Sequence, residues 1–468
     1  MLDRILQRLS RPTPTGALVA FRIALGAIIA ISALRFLAYG WVTEFFVQPT
    51  FFFKYWGFSW VRPLPAPWIH VVFALMGVLG VCFATGLFYR VVAPLTLVVF
   101  AYVNLVDVTN WLNHYYLVTL LLLLANLMPL GRAGSLDAKL FPKTKLDAFP
   151  TWCTWMLRFQ VAVVYVNAGL AKLTQDWLLH AQPLNIWLHA RTDMAVVGSL
   201  FDQRATAYVF SWFGFLFDTF IVAFLLWKRT RLLAYGVVIV FHVMTGLMFP
   251  IGMFPWIMIA SALVFMDSDW PERFFRRAKA SAKAVTSNDA AARPRFVVRP
   301  AYVYAMAAFC VIQVAVPFRS WLYGGNVSWH EQGMRFSWKV MTREKNGSIT
   351  YIVESETEKR TWYVSPRKYL TDRQDRELSS QPDLVLQLAH HIREEFESRG
   401  HTGVRVRAEA LVSLNGRPAA PMIDSTVDLS RVDDGIGKAS WILPAPEGPP
   451  IHLRPAWSGA RFASRKGS

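Results

Sequence analysis

The stretch Ala17–Leu37, ALVAFRIALGAIIAISALRFL, decides the fold because it is long and apolar enough to cross a bilayer as a helix. At 1.5 Å per residue, about 20 helical residues span the roughly 30 Å of hydrocarbon. The sequence therefore predicts a mainly α, polytopic membrane helical bundle of about nine spans. The other predicted spans are Trp68–Leu87, Val91–Val108, Tyr115–Leu130, Met156–Leu173, Ala207–Trp227, Leu232–Phe249, Met253–Met266 and Tyr302–Phe318.

Composition and charge agree with a membrane protein. The 468 residues are 54% hydrophobic and only 17% charged, whereas about 25% of residues are charged in an average soluble protein. The net charge is +18, but Lys and Arg concentrate in short loops between the apolar runs. Anionic lipid and membrane orientation explain that distribution, so we expect the lipid bilayer as a partner and no nucleic acid.

The positions of the basic loops predict the orientation of the spans. Arg4, Arg8 and Arg11 precede the first span, and further basic loops follow the second, fourth, sixth and eighth spans. Because positive loops stay on the cytoplasmic side, the amino terminus is predicted inside and the carboxyl-terminal domain outside.

The composition changes after the last span, and the change predicts four regions. Alternating residues at Ser348–Val353, Thr361–Val364 and Val404–Leu414 are typical of strands, and Asp383–Ser398 is typical of an amphipathic helix. Asn346-Gly347 and Asn415-Gly416 are turn signals. We predict a membrane domain at residues 1–270, a basic cytoplasmic linker at 271–300, the last transmembrane helix at 301–318, and an extracytoplasmic β-rich or α+β domain at 319–468.

Several polar residues lie at membrane depth, where an unsatisfied group costs several kcal/mol. Lys172 ends the fifth span, and it is either a lysine that extends to the interface or a desolvated amine able to act as a base. Asn113-His114 is either an interfacial belt or a site at which His114 donates a proton or a hydrogen bond. Asp218 and His242 are interpreted as partners of neighbouring helices.

The sequence carries no motif for a metal or a phosphate, such as Cys-x-x-Cys, His-Glu-x-x-His or a glycine-rich loop. We therefore expect no metal. The cysteines Cys82, Cys153 and Cys310 lie in or beside apolar segments, and a disulfide scaffold is not expected.

Taken together, the motifs resemble the vitamin K-dependent γ-glutamyl carboxylases and their bacterial relatives, the horizontally transferred transmembrane domain (HTTM) proteins. After the last span, Trp329, Gly333, Phe336, Ser337 and Trp338 resemble the family segment that is linked to glutamate recognition, and the similarity extends to about Leu443. In the membrane region the similar motifs are Phe21-Arg22 with Gly26, the stretch from Gly86 to Arg90, that from Asp107 to Leu117, that from Tyr165 to Trp177, Phe241-His242, the stretch from Ile251 to Phe254, and Trp270-Pro271.

The resemblance implies an enzyme that couples epoxidation of reduced vitamin K by dioxygen to the addition of carbon dioxide at glutamate in a peptide or protein. It implies phylloquinol or menaquinol as the reduced vitamin, O2 and CO2 as co-substrates, and a bacterial inner membrane as the location. Lys172 would be the base that deprotonates the quinol, and His114 would act in the glutamyl half-reaction. The expected substrate-binding residues are Asn113, Tyr116, Trp329, Phe336, Ser337 and Trp338, and the expected cofactor-binding residues are Asn110, Trp111, Met253 and Phe254.

Two other functions stay open at this point. One is a quinol epoxygenase without peptide carboxylation, and the other is a non-enzymatic quinone sensor or transporter that uses the same buried polar groups. The absence of an internal repeat in the sequence argues against the transporter.

Overall fold

A computed structural model describes residues 2–271, 273 and 296–452 of the chain. Up to residue 271 the chain is mostly helical, because only a helix or a closed barrel satisfies backbone polar groups inside a bilayer. Short strands β1 (Pro12–Pro14) and β2 (Ala148–Pro150) pair antiparallel. The helices are α1 (Leu2–Leu9), α2 (Gly16–Ala38), α3 (Trp41–Phe46), α4 (Trp68–Thr85), α5 (Tyr89–Leu105), α6 (Asn113–Leu127), α7 (Leu136–Leu140), α8 (Thr151–Ala171), α9 (Gln175–Leu178), α10 (Leu184–His189), α11 (Gly198–Phe201), α12 (Arg204–Leu226), α13 (Arg231–Met248) and α14 (Phe254–Ala262).

Five of the described helices are long and apolar enough to cross a membrane: α2, α4, α12, α13 and α15 (Pro300–Phe318), the last continued by a 3-10 turn. Each coincides with a predicted span. The other four predicted spans are also helical, but these helices are too short or too polar to be counted as membrane-crossing by length and composition. Helices α5, α6 and α14 have 17, 15 and 9 residues, and α8 has 21 but contains Arg158, Gln160 and Asn167. The prediction of about nine crossings is therefore not confirmed.

Helices α2 and α4 approach each other through small residues. A Cβ atom on Gly26 would lie 2.5 Å from the Ala84 backbone nitrogen, and one on Gly80 would lie 2.7 Å from the Ala30 nitrogen. Glycines at such a contact let two backbones meet, which is the common basis of helix association in membranes.

The fully buried Arg22 ties α2 to the end of α4 and to the segment that follows α6. Its guanidinium donates to the carbonyls of Leu130 at 2.6 Å, Ala133 at 3.0 Å, Gly134 at 2.6 Å and Ala84 at 3.2 Å. A buried cation that lacks a carboxylate partner needs such a set of acceptors. Arg22 therefore fixes how the chain leaves α4 and α6.

The carboxyl-terminal part is an α+β domain built on a four-stranded antiparallel sheet. The sheet has the order β4-β3-β5-β6, with β3 (Lys345–Ser355), β4 (Arg360–Val364), β5 (Val404–Leu414) and β6 (Ala420–Pro421). Alternate residues of β5 are buried beneath helix α18 (Pro382–Ser398). The predicted strands and helix are confirmed within two or three residues at their ends. The shorter helices are α16 (Val327–His330) and α17 (Asp372–Leu378).

One of the two predicted turns is wrong. Asn415 and Gly416 have φ angles of 51° and 85° and form a turn after β5. Asn346-Gly347 instead lies inside β3, paired with β5. A Cβ atom at Gly347 would lie 2.8 Å from Val412 Cγ2, so this glycine permits close packing rather than a turn.

The domain contacts the helices through hydrogen-bonded pairs. Arg417 forms a bidentate pair with Asp176, with distances of 2.6 and 2.8 Å, and Trp187 Nε1 donates to Glu344 Oε2 at 2.6 Å.

Of the predicted linker 271–300, residues 272 and 274–295 lie outside the described part of the chain. The four-region division stays a prediction.

Candidate functional site

Lys172 directly follows α8, and its side chain turns back into the protein. Its Nζ lies 2.7 Å from Asp218 Oδ2 on α12 and 3.2 Å from the Ala168 carbonyl oxygen. Both side chains are buried, with exposures of 7% and 10%. The ring of Trp177 lies 5.1 Å from the same amine. Lys172 is therefore a desolvated, paired amine and does not extend to the interface.

A cavity of about 80 Å³ opens beside this pair. Its walls come from α8, α10, α12, α13 and α14, and Val340 and Met341 of the carboxyl-terminal domain close it. Apolar and aromatic side chains dominate the lining, which is typical of sites for small organic molecules. The aromatic residues that line it are Tyr165, Trp177, Trp187, Phe210, Phe241, Phe249 and Phe254.

His242 brings a second polar group to the cavity. Its Nε2 lies 2.9 Å from the Tyr165 hydroxyl, whereas its buried Nδ1 has no hydrogen-bond partner within the described residues. Leaving a buried ring nitrogen without a partner costs free energy, and a hydrogen bond to a ligand would recover that cost. His242 Nδ1 is therefore available to a ligand that enters the cavity.

His114 lies near the same cavity, separated from it by Phe254. The centroid of the Phe254 ring is 5.6 Å from that of His242 and 5.9 Å from that of His114. His114 is 5% exposed, and residues 2–271, 273 and 296–452 provide no hydrogen bond to its ring. Two histidines thus flank one aromatic ring beside the amine.

An aromatic cluster joins α6 to the carboxyl-terminal domain. Tyr116 stacks on Trp338 at a centroid distance of 4.9 Å, and its ring is 4.9 Å from Phe336. Trp111 lies 4.4 Å from Phe336. Trp338 is buried, and its Nε1 finds no acceptor in the part of the chain that the structure describes. The cluster therefore contains a buried N–H donor without an acceptor among the described residues.

The segment that carries Phe336 and Trp338 has an unusual backbone. Their φ angles are 66° and 56°, a left-handed conformation that is costly for large side chains and often found at functional sites. The Ser337 hydroxyl between them donates to the Gly333 carbonyl. The same segment continues to Val340 and Met341, so it connects the aromatic cluster to the cavity.

Four other predicted site residues do not line the cavity beside the amine. Asn110 accepts a hydrogen bond from Arg373 and lines a different pocket of about 60 Å³. Trp329 is buried in the core of the carboxyl-terminal domain, where its Nε1 donates to Leu443. Met253 packs in the core of the helices next to Phe254. Asn113 lies next to His114 in the chain, and its buried Oδ1 has no partner among the described residues.

Asp218 and His242 were interpreted from the sequence as partners of neighbouring helices, and the structure adds both to the cavity. Asp218 is the one charged residue between Ala205 and Trp227. A lone carboxylate in an apolar run needs a cationic partner. The apolar composition around Asp218 is therefore the sequence feature from which its pairing with a cation could have been predicted.

Across the described residues, no group of three or more His, Cys, Asp or Glu side chains is placed to hold a metal ion.

The fold and cavity define an integral membrane protein whose carboxyl-terminal α+β domain closes a cavity beside a buried amine–carboxylate pair. Residues 10–270 match the family described as HTTM domain, and residues 298–448 match the lumenal domain of vitamin K-dependent gamma-carboxylase. The chain belongs to the vitamin K-dependent gamma-carboxylase family, which confirms the resemblance. Membership implies a carboxylase and a vitamin K cofactor. No solved structure matches the chain.

Proposed function

We propose that this protein is a γ-glutamyl carboxylase-like enzyme that couples epoxidation of reduced vitamin K by O2 to the addition of CO2 at glutamate in a peptide or protein. The observation that carries the proposal is the Lys172–Asp218 pair, buried at 2.7 Å beside an aromatic cavity. A surface lysine would be fully charged and unable to accept a proton at neutral pH. Lys172 is instead buried against the Asp218 carboxylate and lines the cavity.

Lys172 and Asp218 together hold a proton that either partner can carry. Taking both groups out of water penalises the ammonium–carboxylate form and brings the neutral amine–acid form closer in energy. When Nζ passes its proton to Asp218 Oδ2, its lone pair becomes free to accept one from a hydroxyl in the cavity. Lys172 is then the general base and Asp218 the acceptor behind it.

The cavity suits the two ends of a quinol. Its aromatic side chains provide faces for a fused ring, and the Lys172 amine and the unpaired His242 Nδ1 provide two hydrogen-bond partners. When bound, reduced vitamin K supplies the reducing equivalents for O2 and the strong base that removes a glutamate γ-proton. The volume of about 80 Å³ is below the roughly 150 Å³ that admits benzene. Side chains must therefore move when a two-ring quinol enters.

The glutamate side of the reaction is assigned to the aromatic cluster. A glutamate side chain at the edge of the Tyr116–Trp338 stack would meet the Trp338 Nε1–H, which has no acceptor among the described residues. Ser337 and His114 lie one and two positions from these two rings in the chain. Hydrogen bonds to a carboxylate in a water-poor site are stronger than in solution. We assign Trp338 and His114 to orienting the glutamate, with phylloquinol and menaquinol both compatible as the cosubstrate.

A two-readout assay tests this function in lipid nanodiscs, with reduced vitamin K, labelled CO2 and a Glu-containing peptide. Lys172→Ala is expected to lower epoxide formation and label fixation together, by about 10² to 10⁴-fold. The exposed Lys228→Ala is the matched control and keeps both activities. Full epoxidation in Lys172→Ala with loss in His114→Ala would refute the assignment of the base.

The same assay separates the carboxylase from an uncoupled quinol epoxygenase. Trp338→Ala is expected to weaken label fixation more than epoxidation, because it removes a donor on the glutamate side. Epoxidation without fixed label in the wild type would favour the epoxygenase, and neither product would favour a quinone sensor or transporter.

We also propose a bacterial inner membrane with the amino terminus cytoplasmic and the carboxyl-terminal domain periplasmic or extracellular. The support is the basic connections at one end of the bundle and the match to a lumenal domain. A reporter fused after Leu136 should be cytoplasmic and one after Asp424 external. The reverse result would overturn this orientation.

A further inference from the structure

We propose that a second cavity, between the start of α5, the end of α6 and the start of α15, binds the headgroup of an anionic phospholipid. The cavity lies at the end of the bundle where α2 begins, since the carbonyls of Ala133 and Gly134 beside it accept hydrogen bonds from Arg22. The inference goes beyond the proposed function and does not depend on it.

The cavity has the size and surroundings of a lipid site. Its volume is about 710 Å³, within the roughly 300 to 1,000 Å³ of small-molecule sites. Val91, Leu127 and Tyr302 line it and are 60%, 53% and 51% exposed. Such exposed apolar side chains on membrane helices face acyl chains. The polar end of the cavity therefore continues into a surface that suits the tails of the same molecule.

Two guanidinium groups at the polar end have no acidic partner among the described residues. Arg90 and Arg132 both line the cavity, and in the described ranges neither forms an ion pair or a side-chain hydrogen bond. The carboxylate of Asp137 also lines the cavity, but it accepts hydrogen bonds from the backbone nitrogens of Phe88 at 2.7 Å and Tyr89 at 2.8 Å. Asp137 is thus committed to the amino-terminal end of α5, which leaves both arginines for a phosphate.

A backbone acceptor adds a site for a headgroup hydroxyl. Pro94 lies inside α5 and lines the cavity with Arg90. Because proline has no N–H, it cannot donate the helical hydrogen bond to the carbonyl four residues earlier, which is that of Arg90. The Arg90 carbonyl can accept a hydrogen bond from the glycerol of a phosphatidylglycerol headgroup while the guanidinium groups bind its phosphate.

A lipid explains these features better than a soluble anion. A free phosphate would use the arginines but not the exposed apolar walls. General attraction of a basic loop to an anionic membrane is worth about 1 kcal/mol per charge, and it does not need a cavity. A lipid held in this cavity should survive purification, whereas loosely attracted lipid should not.

Native mass spectrometry of the whole protein tests the site after delipidation and addition of phosphatidylglycerol or phosphatidylcholine. The wild type should retain a single phosphatidylglycerol and little phosphatidylcholine. Arg90→Gln with Arg132→Gln should lower retention by roughly tenfold or more, because two charge-assisted contacts are lost. Lys228→Gln with Arg229→Gln removes the same charge from an exposed loop and should retain the lipid.

A third variant keeps the test decisive if the double arginine variant fails to fold. Val91→Trp places an indole ring in the wall of the cavity, where it obstructs the lipid without changing the charge, and it should also lose the lipid. Equal loss in the Lys228/Arg229 variant would overturn the proposal in favour of general surface charge. Equal retention of phosphatidylcholine, retention in Val91→Trp, or displacement by equimolar inorganic phosphate would each overturn it as well.

Discussion

The Lys172 amine and the Asp218 carboxylate determine each other's charge, because a proton placed on one changes the field at the other. The two groups are buried and 2.7 Å apart, so a change at one alters the electrostatic environment of the other. Removing either partner leaves the other buried and unpaired, which costs about 3 to 5 kcal/mol for a charged group. Neither side chain can therefore be substituted without altering the other.

Asp218→Asn should lower kcat for epoxidation by about 10²-fold and change the quinol KM little. The proposed proton acceptor for Lys172 is lost, while the aromatic walls remain. Asp218→Glu should restore part of the rate. Asp202→Asn changes another buried carboxylate, 2.7 Å from His189, and serves as the control with unchanged kinetics. Steady-state epoxidation kinetics provide the measurement; a rise in KM with unchanged kcat would contradict the assignment.

The position of Lys172 could be predicted from the sequence, but its partner could not. A lysine at the end of an apolar run is unusual enough to be recognised from hydropathy alone. Asp218 lies 46 positions later in the chain, and one-dimensional spacing does not say which helices pack together. Helix α12 packs against α8, and only that contact pairs the two charges.

At the scale of the helices, close contact between α2 and α4 depends on residues without side chains. Gly26→Ala should lower the thermal unfolding midpoint, because the new Cβ would lie 2.5 Å from backbone and force the helices apart. Gly236→Ala is the matched control: nothing lies within 4 Å of its Cβ position, and alanine is favoured over glycine in a helix. An unchanged midpoint for Gly26→Ala in nanodiscs would mean that the helices separate at no cost.

Strand β3 begins at Lys345, whose amine is buried. Nζ donates to the Trp329 carbonyl at 2.8 Å and to that of Ser380, and it lies 3.3 Å from Glu331. Burial lowers the pKa of Lys345 from 10.5 to about 8. The unfolded chain therefore binds more protons than the folded protein between about pH 8 and pH 10.5, so stability should rise with pH across that window.

Lys345→Met should remove this rise, because methionine has no proton to lose, whereas the exposed Lys438→Met should keep it. The measurement is the thermal unfolding midpoint of each variant across the same pH window. The comparison between the two variants cancels the titration of tyrosines and other lysines. A parallel pH dependence in both would show that the Lys345 amine is not penalised by burial.

The sequence predicts whether a segment is a helix or a strand better than it predicts whether a helix crosses the membrane. Strands β3, β4 and β5 follow from alternation, because one face of the sheet is buried and the other is not. The count of spans was harder, because α5, α6 and α14 are apolar but short, and hydropathy does not distinguish a short crossing from a helix packed within the bundle. Gly347 shows the same limit, since an Asn-Gly pair also fits a close contact between strands.

At the scale of the whole molecule, the carboxyl-terminal domain is connected to Lys172 through a short chain of contacts. Arg417 and Asn415 of the carboxyl-terminal domain bind Asp176, and Asn415 Nδ2 lies 2.8 Å from its carboxylate. The next residue, Trp177, places its ring 5.1 Å from Lys172 Nζ. These contacts join parts of the chain separated by more than 200 positions, so no local sequence pattern predicts them.

Arg417→Gln tests whether the Arg417–Asp176 contact aligns the proposed glutamate site with the cavity. Loss of the bidentate pair should loosen the domain while Trp177 and Asp218 still hold Lys172. Misplacing a reacting group by 1 Å can cost about 10²-fold. We therefore expect fixed label per epoxide to fall by up to about 10²-fold, while epoxidation stays close to the wild-type rate. Arg405→Gln breaks a more exposed pair with Glu356 in the same domain and should leave the ratio unchanged. If epoxidation and carboxylation instead fall in the same proportion, Arg417 supports the base and not the docking of the domain.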